Sequence, residues 1–191
     1  MRAMLLVVAC SLNLPAAGRE MNVVVCNLGD VSESVVSRAK SETTGIYRSA
    51  GVQLVWHVCD TFPSPASQET VPWFVIRLRN DKPPRTVGPA SLDAMGRAFV
   101  EDRGGTIADA YFPAVRATAQ LVNGDTGVLL GSVMAHELGH LLLGAGHTPD
   151  GVMKAAWGQD QVFALYKQWL NFSAGCAGRI RLALDERQRK E

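Results

Sequence analysis

The chain has 191 residues, 47% of them hydrophobic, with 19 lysines and arginines against 18 aspartates and glutamates. That length suffices for one domain with a proper core. The even charge balance excludes the basic surface of a nucleic-acid binder and an acidic tail.

Residues 1–18 read as a secretory signal. Arg2 gives a positive start, Ala3 to Cys10 form an apolar run, and Pro15-Ala16-Ala17-Gly18 supply small residues for cleavage. The alternative is a buried first strand. Val7-Val8-Ala9-Cys10 also resembles a lipoprotein cleavage box, with anchoring at Cys10 as the lesser alternative. A single domain over 19–191 is expected, in a secreted or periplasmic protein, as a monomer.

Met21 to Asn27 is β-branched and continuous, which predicts a strand buried on both faces. Asp30 to Ala50 reads as a helix with Val31, Val35, Ala39, Ile46 and Ala50 inward and Gly51 as its stop. Val52 to Val58 alternates as a half-buried strand, so the chain opens β-α-β with two parallel strands and a right-handed crossover. Cys26 and Cys59 end these two strands. If the strands are neighbours, both cysteines lie at one sheet end and can bridge, which leaves Cys176 over; the alternative is buried packing cysteines. Trp73 to Arg79 is a third strand between proline-containing loops at 61–72 and 80–89. His57 falls in the second strand and reads as a structural or surface residue.

Ala94 to Val100 predicts a short strand, and Thr106 to Phe112 alternates until Pro113 stops it. Ala114 to Leu121 is a turn of linking helix. Val128 to Leu143 is a helix apolar almost all round, as in the middle of a domain. It is short for a membrane span and carries His-Glu-His, so no stable span is expected. Helices at 160–170 and from Phe172-Ser173 to Gln188 follow, the last with Ile180 and Leu184 inward.

The central helix contains His136-Glu137-Leu138-Gly139-His140. Histidines four apart put both imidazoles on one face, one turn apart, within reach of one metal ion. Glu137, next to the first, can deprotonate a water without being a ligand. A chance match in a buried helix would leave Glu137 a buried charge without a partner. A hydrolytic Zn²⁺ site takes three protein ligands and keeps one open position. Gly144 can end the helix in a left-handed conformation, and a Gly144-Ala145-Gly146 turn, with both glycines in backbone conformations closed to other residues, can return His147 as third ligand. The competitor is Asp150, between Pro149 and Gly151.

These residues, with Met153 in a Gly-Val-Met segment, resemble the metzincin clan of zinc metallopeptidases, whose pattern is H-E-x-x-H-x-x-G-x-x-H and a Met-turn. Here the glycine and the third histidine each come one residue late, and Lys154 follows Met153 where some members carry a tyrosine. The resemblance implies an α/β (α+β) zincin: a mixed twisted sheet, a central active-site helix, a Met-turn and C-terminal helices. It implies a zinc metalloendopeptidase with His136, His140 and His147 on the metal and Glu137 as general base. It implies Met153 as an apolar floor, with Trp157 and residues 154–158 walling a specificity pocket. It also implies an edge strand, antiparallel to its neighbour, to which a peptide substrate adds; chain order points to 105–112. Two other classes stay open: a zinc amidase acting on cell-wall peptides, and a non-catalytic zinc or partner-binding module. The intact Glu137 argues against the second.

Overall fold

In the computed structural model, the described residues are 19–59, 71–82, 94–101, 104–167 and 170–189. The signal expected at 1–18, Cys10, most of the two proline-containing loops and Trp169 lie outside them.

Ten elements follow in chain order: β1 (Arg19–Asn27), α1 (Glu33–Ser49), β2 (Val52–Val58), β3 (Trp73–Arg79), β4 (Gly96–Glu101), β5 (Gly104–Tyr111), α2 (Phe112–Leu121), α3 (Thr126–Leu143), α4 (Gln159–Tyr166) and α5 (Ala174–Gln188). The strands form one five-stranded sheet in the order β2-β1-β3-β5-β4. β1, β2, β3 and β5 run parallel, and β4 is antiparallel to β5. The mixed α/β architecture is the one expected, including the β-α-β opening.

β1 lies inside the sheet, and Met21 and Val23 to Cys26 are buried on both faces, which is why its apolar residues run on without alternation. β3 alternates, with Phe74, Ile76 and Leu78 inward. The turn out of β1 is closed by Asn27, whose Nδ2 donates to Val31 O at 2.8 Å and whose Oδ1 accepts from Val31 N at 3.0 Å. Asp30 has φ 49° within that turn, so α1 starts at Glu33 and not at Asp30. Asp109 of β5 is buried and meets its register partner Arg77 on β3 as an ion pair.

One strand assignment is corrected. Residues 105–112 are not an edge: β5 lies between β3 and β4, and β4 takes the edge. The reason is the antiparallel pairing of β4 with β5, which runs from Gly96 opposite Ala110 to Glu101 opposite Gly104. β4 therefore lies outside, and the later strand takes the inner place.

α3 crosses the domain with fifteen of its eighteen residues buried. By length and composition it would pass for a membrane span, so the shortness argument does not hold; burial explains its apolar character, since 83% of the stretch is inside the domain. Every fourth residue on one of its faces is small: Gly127, Gly131, Ala135 and Gly139. A side chain on Gly131 would come 2.5 Å from Ala39 O and 2.6 Å from Glu42 Cβ of α1. Thr43 Oγ1 donates to Gly131 O at 2.9 Å and Tyr47 Oη to Ala135 O at 3.3 Å across the same contact. Asp125 caps α3, its carboxylate accepting from Val128 N at 3.0 Å.

α5 ties the C-terminal half to the sheet and to α3. Ser173 caps it by accepting from Cys176 N, and Ile180 and Leu184 are buried as expected. Asp185 holds Arg19 at the start of β1 through two bonds of 2.6 and 2.8 Å. Arg187 donates to Leu141 O at 2.7 Å, which places a positive charge at the carbonyl end of α3. In α4, Leu165 is buried, whereas Phe163 faces outward and the helix ends at Tyr166, short of residue 170. His57 is structural as expected: its Nε2 meets Asn22 Oδ1 at 2.8 Å and its ring packs on Trp73.

Cys26 and Cys59 form a disulfide with a Cα separation of 4.7 Å, because β1 and β2 are parallel neighbours that end together. Cys176 is free and buried. The bridge spans 33 residues of chain. Reducing it, or replacing both cysteines with serine, should lower the unfolding free energy by about 3–4 kcal/mol through loop-closure entropy in the unfolded chain. Urea titration of the oxidised and reduced protein measures this, and equal midpoints would contradict it.

Candidate metal centre

His136 and His140 project from one face of α3 towards the loop that follows it. Each ring is held by a main-chain carbonyl. His136 Nδ1 donates to Val152 O at 2.7 Å, and His140 Nδ1 donates to Gly144 O at 2.9 Å. With the N–H committed at Nδ1, each neutral ring keeps its lone pair at Nε2. The two Nε2 atoms are 3.0 Å apart. Facing lone pairs at that distance repel unless a cation lies between them. Two nitrogens on tetrahedral zinc stand about 3.3 Å apart, given Zn–N bonds near 2.0–2.1 Å. The arrangement fits a metal ion.

His147 completes the group. One ligand atom from each of His136, His140 and His147 lies within 4.8 Å of the others, and among the described residues Asp150 is not in the cluster. His140 is buried, His136 half-buried and His147 exposed, so the cluster opens to solvent on the His147 side. Three neutral imidazoles are a donor set zinc accepts, with room for one further ligand. Burial pushes His136 down to about 4 and lowers His140 as well. Both are thereby kept in the neutral form that can ligate.

The return of His147 differs from expectation at both Gly144 and Gly146. Gly144 ends α3 at φ 83°, ψ −169°, a region open to glycine but outside the left-handed helical one. Its carbonyl thereby reaches back to His140. Gly146 takes no positive φ; the second special conformation is at Gly151, φ 69°. There a side chain would come 2.6 Å from Asn171 O. The extra residue before His147 is therefore taken up by one glycine. The loop is closed by Thr148 N donating to Met153 O at 2.9 Å and Thr148 Oγ1 to Asp150 O at 2.7 Å. That turn includes the Asp150 carbonyl, and Asp150 itself is exposed.

Met153 is buried beside Gly139, where any side chain would run into the Met153 sulfur and come 3.3 Å from Phe172 Cε1. Glycine inside a helix costs about 1 kcal/mol relative to alanine. At Gly139 that cost lets the methionine sit against the helix beside the histidines. Sequence reasoning passed over Gly139 as a spacer; a glycine in an otherwise buried helix was the signal. The Val152 carbonyl was also missed, as a main-chain group must be. It accepts from Trp157 Nε1 at 3.3 Å as well as from His136, and the Trp157 ring stands edge-on to His136 at 5.9 Å.

Glu137 points the other way around α3, under β4. It is buried, and desolvation raises its pKa to about 8, offset in part by a hydrogen bond from the Ala98 main chain. The carboxyl is thus held inside the domain between α3 and β4, unlike a surface acid.

No protein-family model and no curated protein matches the chain. Solved structures do. The archaemetzincin of Methanopyrus kandleri aligns at TM-score 0.52 and 19% identity, over 90% of this chain and 99% of that one. A zinc-dependent peptidase from Methanocorpusculum labreanum aligns at 0.53 and 14%, over 83% and 99%. Metalloproteinase-II from Bacteroides fragilis aligns at 0.52 and 13%, over 87% of this chain and 53% of that one. At these identities the likeness is one of fold. The protein has the mixed α/β fold seen in these zincin-like peptidases, and it carries three histidines that could hold a metal ion.

His147→Ala should weaken zinc binding by more than about 100-fold, beyond the effect of losing a supporting partner, while Asp150→Ala should leave it unchanged. Competition with a chromogenic chelator measures both. Loss of metal in Asp150→Ala alone would exchange the two roles.

Proposed function

We propose that the protein is a zinc metalloendopeptidase of metzincin type. His136, His140 and His147 would hold the ion, and Met153 would serve as the Met-turn residue beneath it. The observation that carries the reading is the buried Glu137 carboxyl, next in sequence to a ligand of the three-histidine group. A purely structural zinc site has no use for a buried acid there.

Zinc, when bound, supplies Lewis-acid chemistry: it acidifies a water and polarises the carbonyl to be cut. The chain's own residues do the rest. Glu137 orients the attacking water, takes its proton and delivers it to the leaving amine. The Val152 and Gly144 carbonyls keep the two helix histidines in their ligating tautomer. Trp157 flanks His136 and bounds one side of the cluster, where it would shape a specificity pocket.

The substrate would be a peptide added as a strand to a free sheet edge. That edge is β4, which packs over α3, and not 105–112. Export is supported by the Cys26–Cys59 disulfide, which persists in oxidising compartments. A zinc amidase for cell-wall peptides would use the same groups, and a panel of casein, unstructured peptides and muropeptides separates the two.

Glu137→Gln should keep one zinc per chain and the fold while peptide hydrolysis falls by about 10²–10⁴-fold, the usual loss for a general base. Metal analysis and a quenched-peptide assay on the same preparation test this. A variant as fast as wild type would remove Glu137 from the mechanism.

A further inference from the structure

Gly96 opens β4, directly over α3. A methyl group at its α-carbon would lie 2.5 Å from Glu137 Oε1, 2.7 Å from its Cγ and 2.8 Å from its Cδ. All three nearest atoms belong to one side chain. Gly96 has no positive φ, so its backbone does not call for glycine; the space does. Two residues further on, the Ala98 main chain comes near enough to the same carboxyl to offset part of its raised pKa.

The strand register explains why both contacts fall on Glu137. Tyr111 N bonds Met95 O at 2.9 Å, and Gly96 stands opposite Ala110 and Ala98 opposite Ala108. In an antiparallel ladder, hydrogen-bonded and non-bonded pairs alternate. The main-chain groups of Gly96 and Ala98 therefore face away from β5, along the open edge. The Glu137 side chain rises from α3 into the gap left by the absent side chain at 96, near the edge-facing main chain of Ala98.

We propose that Gly96 is a positioning residue for Glu137: the bare α-carbon at 96 and the main chain of Ala98 together fix the carboxylate between α3 and β4, one residue along the helix from the first of the three histidines. The proposal rests on the peptidase reading for its kinetic consequence and on geometry alone for the contact. The least costly way to accommodate a methyl group at 96 is for the flexible Glu137 side chain, which supplies all three clashing atoms, to turn aside from Ala98. The ion's ligands are untouched by that movement. The damage should therefore fall on the chemical step and spare metal binding.

Two measurements on the zinc-loaded protein test this. Gly96→Ala should keep one zinc per chain and lower kcat by about 10²-fold, the loss expected from a displacement on the order of 1 Å. KM should stay within about threefold, since the ground-state contacts remain. The second measurement needs no turnover. Gly96→Ala should lower the Tm in the wild-type background and leave it unchanged in Glu137→Ala, where the space is already free. Equal Tm losses in both backgrounds, or an unchanged kcat in Gly96→Ala, would overturn the proposal. Wild-type protein that binds zinc and cuts no peptide would instead remove the peptidase reading, and the paired Tm values would still decide the contact.

Discussion

The close docking of α3 on its neighbours is the constraint on which the metal centre depends. The row Gly127, Gly131, Ala135, Gly139 presents backbone where a helix normally presents side chains. α1 fills the N-terminal part of that row, with Thr43 and Tyr47 bonding directly to α3 carbonyls. Met153 and Phe172 fill the last step, and Phe172 packs edge-on against Tyr47 at 5.0 Å. One stripe of small residues thus connects the N-terminal crossover helix, the helix of the histidines and the loop that follows it. With that face committed, the rotational setting of α3 is determined. His136 and His140 then face the return loop, and Glu137 faces the sheet edge.

A buried polar helix face is costly, since each unpaired group forfeits its hydration. The hydroxyl of Ser132 has no partner among the described residues, but the groups of the site are met by main chain. The Val152 and Gly144 carbonyls take the imidazole N–H groups, and the Ala98 main chain meets the Glu137 carboxylate. Main-chain partners are held by the fold and not by side-chain rotamers, so they position the histidines and the carboxylate with little freedom. Their consequence is a site preorganised in the neutral-imidazole state. Arg187 contributes from outside: it bonds the Leu141 carbonyl and reaches Gly105 O at 3.3 Å, joining the end of α3 to the start of β5.

Much was legible along the chain because the signals were local. Helical spacing placed His136 and His140 together, β-branched runs placed β1 and β3, and two strand ends placed Cys26 near Cys59. His147 was legible as a ligand candidate from its distance to the helix end, and the structure brings it to the pair. The conformations that return it were less so. Gly144 uses an extended positive-φ state and Gly146 an ordinary one, because the loop's hydrogen bonds to Met153 and Asn171 decide its path.

Chemistry that resides in residue type and short spacing was determined by the sequence itself: a His-Glu-His helix, a third histidine within reach, a β-α-β opening and two cysteines able to bridge. Which strand is the edge was decided by tertiary structure, because the order of strands in a sheet depends on how a hairpin inserts and not on chain order. The same holds for Gly96, Gly139 and the carbonyl partners of the histidines. A glycine's role is set by what approaches it, and a carbonyl carries no sequence label. Both became visible only when α3, β4 and the 144–153 loop were brought within contact distance.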